Sequence, residues 1–100
     1  DTMIDAAELV DNEFLRQFEL KINDNLAKIE YSHQERKIFL TKLFVPEIDN
    51  QEDFTEEFLT IVLESIKERN INVVPTSPII AKFIRRHRRY KAMLPVGIRI

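Results

Sequence analysis

The sequence predicts an α+β domain: an antiparallel three-strand meander that runs into a β-α-β-α unit. Three observations carry this. Between Glu13 and Val45, three runs of strand character are separated by short polar turns. From Asp53 to Asn70, apolar residues recur at helical spacing. Then Asn72–Tyr90, NVVPTSPIIAKFIRRHRRY, packs a buried strand, a proline-bounded turn and a second helix into one stretch, around which the rest of the chain is organised.

In order, Asp1–Asn12 is polar with a weak apolar pattern (Met3, Ile4, Leu9, Val10) and reads as a frayed lead-in or a single helical turn. The first strand is expected over Glu13–Ile22, where Phe14, Phe18, Leu20 and Ile22 are read on one face with Arg16, Glu19 and Lys21 opposite. Asn23-Asp24-Asn25 is a tight-turn tripeptide, because Asn and Asp tolerate positive φ. Leu26–His33 alternates again, with Ala27, Ile29 and Tyr31 on one face, until Gln34-Glu35-Arg36 breaks the pattern. Lys37–Val45 is apolar on both faces and is expected to be a central strand.

After the polar loop Pro46–Asp53, a helix is expected over Asp53–Asn70. Asp53 and Glu56 have the spacing of a capping box, and Phe54, Phe58, Ile61, Val62 and Ile66 form the apolar stripe, flanked by Leu59 and Leu63. Asn70 suits a left-handed helix end. A strand at Ile71–Val74 then makes a right-handed βαβ crossover and a parallel pair. The second helix is expected over Pro78–Arg88, with Ser77 as its cap and Pro78 at the first helical position, where a missing N–H costs nothing. Pro95 ends the segment Tyr90–Leu94, and Val96, Ile98 and Ile100 alternate as in a short edge strand. The organisation is therefore a lead-in at 1–12, a domain at 13–94 and a tail at 95–100.

Composition narrows the function classes. Apolar residues make up 44% and charged residues 32%, which suits a folded chain. No apolar run approaches the ~20 residues of a membrane span, so no membrane partner is expected. Absence of cysteine removes disulfide and thiolate chemistry and fits a cytoplasmic setting. The two histidines, His33 and His87, have no metal-ligand spacing. No signal peptide is visible, and a chain that begins at Asp1 reads as a trimmed chain or a domain of a longer protein.

Charge is unevenly divided. Residues 71–100 hold seven cations (Lys82, Arg85, Arg86, Arg88, Arg89, Lys91, Arg99) and no acid, so the first 70 hold eight cations and all 17 acids, a division of −9 against +7. Such a division marks an anion-binding or partner-binding end, or two halves that attract each other within the fold. The dense run Arg85–Lys91 also has a plainer reading, as cations that complement the dipole at a helix C-terminus and pair with the acidic helix face. Tyr90 is the only aromatic residue interleaved with that run, so nucleic acid is not an expected partner.

Motifs from about Asn12 to Leu94 resemble, in order and spacing, the very short single-domain branch of the GNAT-type N-acetyltransferases. A DNxxxxRFEL strand corresponds to Asp11-Asn12 through Gln17-Phe18-Glu19-Leu20, and an A-x-x-E-Y strand to Ala27 through Glu30-Tyr31. L-T-H-T-E-V-P corresponds to Leu40–Pro46, and V-V-P-x-C-P to Val73–Pro78. H-P-E-Y corresponds to His87–Tyr90. The resemblance implies transfer of acetyl from acetyl-CoA to an amine. It implies cofactor contacts at Leu43, Val45, Gln51, Asp53, Thr55 and Ser77, and it makes Ser77 the candidate catalytic residue.

The departures fall where that chemistry would sit. The family's R-G-x-G-x-G loop is Asn50-Gln51-Glu52-Asp53-Phe54-Thr55 here, so all three glycines that let backbone N–H groups approach a pyrophosphate are replaced. Lys42 and Phe44 stand for His and Glu, and Ser77 for Cys, a poorer nucleophile without an adjacent base. Ser77 reads more simply as a helix cap, Lys42 as a solvated strand residue, and Tyr31 and Tyr90 as packing residues. Two classes remain open. One is an acetyltransferase. The other is a non-catalytic domain that binds a protein partner or its own copy through a charged surface formed by Lys82, Arg85, Arg86, Arg88, Arg89 and Lys91.

Overall fold

A computed structural model of the chain describes residues 8–22, 24–98 and 100. Five strands form one sheet in the order β1-β2-β3-β4-β5: β1 Val10–Asn12, β2 Gln17–Ile22, β3 Asn25–Gln34, β4 Lys37–Phe44 and β5 Asn72–Pro75. The helices are α1 Gln51–Glu68, α2 Pro78–Arg85 and the single turn α3 Arg88–Lys91. Strands β1 to β4 are antiparallel neighbours and β4 pairs with β5 in parallel, as the meander and crossover predict.

Strand period places the core. Phe18, Leu20, Ala27, Ile29, Tyr31, Ile38, Leu40 and Val73 are all buried, and cross-strand partners such as Phe18–Ile29, Leu20–Ala27 and Ile38–Val73 put them on one face. The helices cover that face with Phe54, Phe58, Leu59, Val62, Leu63 and Ile66 from α1 and Ile80, Phe83 and Ile84 from α2. Leu59 and Leu63 thus belong to the buried stripe, and Ile61 lies at its rim. The opposite face is polar over β2 and β3, where Lys28 sits beside Glu19 and Glu30 beside Lys42, and carries the half-buried pair Phe39–Val74 where β4 meets β5. No helix of the described residues is long and apolar enough to cross a membrane.

Several elements differ from the sequence expectation. Val10–Asn12, within the expected lead-in, forms β1 against β2, while residues 1–7 lie outside the described residues. Residues 13–16 become the β1–β2 turn, fixed by the Asn12 side-chain carbonyl accepting Leu15 N–H at 3.0 Å and by positive φ at Arg16. The strand therefore starts at Gln17, and Phe14 is 92% exposed instead of joining the core. Asn23 of the next turn is outside the described residues. The β2–β3 pairing closes from Ile22 to Asn25 around it.

Helix α1 starts two residues before the expected capping box. Asn50 takes the left-handed conformation (φ 61°), which Asn tolerates, and its carbonyl accepts Phe54 N–H at 3.0 Å. Asp53 then lies inside the first turn, where with Glu52 it complements the helix dipole. Asn70 has positive φ, as expected at the far end. The single helix expected over Pro78–Arg88 is broken: α2 ends at Arg85, and His87 is extended. His87 Nδ1 lies 2.8 Å from the Phe83 carbonyl, which as an acceptor assigns the proton to that nitrogen, and the ring stacks on Phe83 at 4.2 Å. The break lets Tyr90 reach back to Glu64 on α1, donating its hydroxyl at 2.8 Å. In the tail, Pro95–Ile98 is a turn with Gly97 at φ 90°, and no strand forms among the described residues, Arg99 lying outside them.

Candidate functional site

The site arises from the way the β4–β5 pair ends. The two strands pair from Lys37–Asn72 to Leu40–Pro75 and then separate. Pro75 has no N–H with which to extend the ladder. The chain instead turns inward: Thr76 N–H (3.0 Å), Ser77 N–H (3.3 Å) and the Thr76 hydroxyl (3.2 Å) all donate to the Leu40 carbonyl. Pro78 then starts α2. Strand β4 continues alone through Thr41–Phe44, paired with β3 on one side only. At this point β4 is also bulged. Tyr31 faces Leu40 and Glu30 faces Lys42, so Thr41 is the extra residue, its hydroxyl donating to the Glu30 carbonyl at 3.1 Å.

A cleft of about 660 Å³ opens between the free end of β4, the start of α1 and the side of α2. Leu43, Val45, Gln51 and Thr55 line it, together with Lys82 and Arg86. Six of the sequence-derived candidates thus converge from three separate segments. Side-chain bonds define the α1 wall. Gln51 Nε2 donates to the carbonyls of Val45 (3.2 Å) and Pro46 (3.1 Å), which ties the helix start to the end of β4. The Thr55 hydroxyl donates to the Gln51 carbonyl at 2.8 Å. Across the cleft, Arg86 pairs with Glu56 at 3.4 Å, both side chains more than half exposed.

The other candidates lie elsewhere. Asp53 is exposed on the first turn of α1 and does not line the cleft. Ser77 is 7% exposed at the α2 cap position, but its side chain makes no cap bond, so its anchoring is through backbone: its N–H to Leu40 and its carbonyl to Ala81 N–H at 2.9 Å. Arg85, Arg88 and Lys91 are exposed. Arg89 pairs with Glu64 at 3.0 Å and lies over the Tyr90 ring. Burial and the Glu64 hydrogen bond push the Tyr90 hydroxyl up to about 12. Among the described residues, no cluster of His, Asp and Glu has the arrangement of a metal site.

The sequence reading did not mark Leu59, Ile79 and Phe83 as site residues, although they also line the cleft. Leu59 and Phe83 were hidden by their place in the helical stripes. Ile79 had a usable signal, an apolar residue on the first turn of a helix whose core face is set by Ile80, Phe83 and Ile84. Phe44, which stands where the family pattern has a carboxylate, lines the cleft and is 54% exposed, so it walls the opening without filling it.

Comparison with known proteins agrees with this architecture. An NMR solution structure of a GCN5-like protein from Staphylococcus aureus superposes with a TM-score of 0.69 at 17% identity, covering 96% of this chain and 94% of that one, a likeness of fold. No curated protein sequence matches the chain. Residues 17–93, well over half of the chain, match the family profile described as GCN5-related N-acetyl-transferase. That span runs from the first residue of β2 to the turn after α3 and takes in every cleft residue, so the chain belongs to the GCN5-related N-acetyl-transferase family.

Proposed function

We propose that this chain keeps the acetyltransferase cleft but has lost firm acetyl-CoA binding, and that it acts as a non-catalytic binding domain. The observation that carries this reading is Gln51. Its side-chain amide occupies the Val45 and Pro46 carbonyls, at the strand end where the pantetheine arm of acetyl-CoA would be accepted. The cofactor's pyrophosphate belongs at a helix N-terminus with bare backbone N–H groups. At the start of α1 stand Gln51, Glu52 and Asp53, with Glu52 lining the cleft.

On this reading the start of α1 does not suit the cofactor's pyrophosphate, although Lys82 and Arg86 stand across the cleft. One carboxylate about 4 Å from one phosphate charge costs roughly 1–4 kcal/mol at the screening of a protein surface. That is about five- to several-hundredfold in affinity. Ser77 adds no compensating chemistry, because it is buried beside Leu40 and no described hydrogen bond links it to a base.

Calorimetric titration with acetyl-CoA, at low and at physiological salt, tests the reading. No heat up to millimolar ligand is expected. Saturable binding tighter than about 100 μM would overturn the reading and return the chain to the amine-acetylating class.

A further inference from the structure

We infer that the cleft receives an extended acidic peptide, added as a strand to the free edge of β4. The inference rests on the preceding reading, in which acetyl-CoA does not hold this space. Its first support is main-chain geometry. Lys42–Phe44 pair with β3 on one side, and β5 leaves the other side at Pro75. Such an edge has backbone donors and acceptors that an incoming strand satisfies, and the parallel position vacated by β5 is the place for it.

The second support is apolar. Phe44 and Ile79 both line the cleft, and they are 54% and 59% exposed. Two large apolar residues left open beside an unpaired edge give an extended segment anchor points for its own apolar side chains.

The third support is charge, and it selects the partner. From residue 71 onward the chain has no Asp or Glu. Lys82 and Arg86 line the α2 side of the cleft and Glu52 and Glu56 its α1 side. Lys82 has no ion pair among the described residues, and Arg85, Arg88 and Lys91, equally without one, lie outside the lining and extend the positive charge beyond α2. Arg86 has Glu56, but both ends of that pair are more than half exposed, so an incoming carboxylate can compete for it at little cost. Glu52 repels acid from the α1 wall. Acidic side chains of the peptide are therefore directed toward α2, which fixes the side it presents.

The test selects a random dodecapeptide phage library against the full chain at physiological salt, then measures the synthesised winners by fluorescence anisotropy. Enriched peptides should combine acidic and apolar residues, and Lys82→Glu should weaken them by about tenfold or more. Lys82→Gln, milder and also at an exposed position, should weaken them less. On saturation, amide exchange at Thr41–Phe44 should slow by about tenfold or more, which surface attraction alone does not produce. Enrichment of basic peptides, no enrichment, or unchanged exchange at those amides overturns the inference. So does tighter binding of a twelve-nucleotide oligothymidylate, which would make the cations a nucleic-acid surface. Acetyl-CoA titrated in parallel separates the two readings: its binding counts against the lost cofactor, whereas failure of the peptides alone leaves that reading standing.

Discussion

Asp11 shows how much one side chain near the edge of the sheet holds together. It accepts the Tyr31 hydroxyl, and Arg69 at the end of α1 pairs with it at 2.9 Å while lying over the Phe18 ring. Asp11→Ala should destabilise the fold by about 1–3 kcal/mol in urea titration, because it strands the buried Tyr31 hydroxyl, while the more exposed Arg69 can turn to water. A cycle with Arg69→Ala should return a non-additive remainder. Tyr90 makes a separate, pH-dependent prediction. Its hydroxyl is raised from 10.0 to about 12 by burial, then by Glu64. The folded state then holds a proton that the unfolded state releases above pH 10. Stability from this group is therefore complete below pH 10 and declines as pH rises toward 12. Tyr90→Phe should flatten that part of the alkaline melting curve. An equal alkaline slope in both proteins would remove Tyr90 as its source.

At the scale of elements, the legible parts were those with a strong period or a strong breaker. Alternation located β2 and β3, a run apolar on both faces located β4, the 3.6-residue stripe located α1, and Pro75 and Pro78 located the β5–α2 turn. Hidden were mainly the features set by distant contacts. Three residues of β1 are too few to show a period and exist only because β2 offers an edge. The break at His87 depends on a bond back to Phe83 and on Glu64 across on α1. The early start of α1 goes with Gln51 bonding the Val45 and Pro46 carbonyls just past β4, a short-range contact that no period or breaker in the sequence marks. Candidate cleft residues were legible through family resemblance at Leu43, Val45, Gln51 and Thr55. Asp53, which that resemblance also suggested, lies off the cleft because the helix phase is set from Asn50. Replacing Gln51, Asp53 and Thr55 together by Gly tests whether the first turn of α1 alone bars the cofactor. Calorimetry should then detect acetyl-CoA binding, against a stability loss of about 0.5–1 kcal/mol per helical glycine. Phe58→Ala, by contrast, should cost about 3–5 kcal/mol, since this ring is fully buried between α1 and the sheet.

Across the whole molecule, the acidic and basic parts of the chain share one core but, among the described residues, are linked by few ion pairs. The ion pairs that link them are Arg86–Glu56 and Arg89–Glu64, while Arg85, Arg88 and Lys91 have none among the described residues. Replacing those three by Gln should therefore change stability by no more than about 0.5 kcal/mol each in thermal or urea unfolding. A larger loss would give them a structural role. The Leu40 carbonyl, with its three donors, has a wider consequence. The opening it creates is written in main-chain bonds and two prolines, and not in the side chains that a reaction would require. A lineage can therefore exchange every reactive group around this gap and still inherit the gap itself. The shape becomes a vacancy open to new tenants, and relatives that share it need not share an occupation.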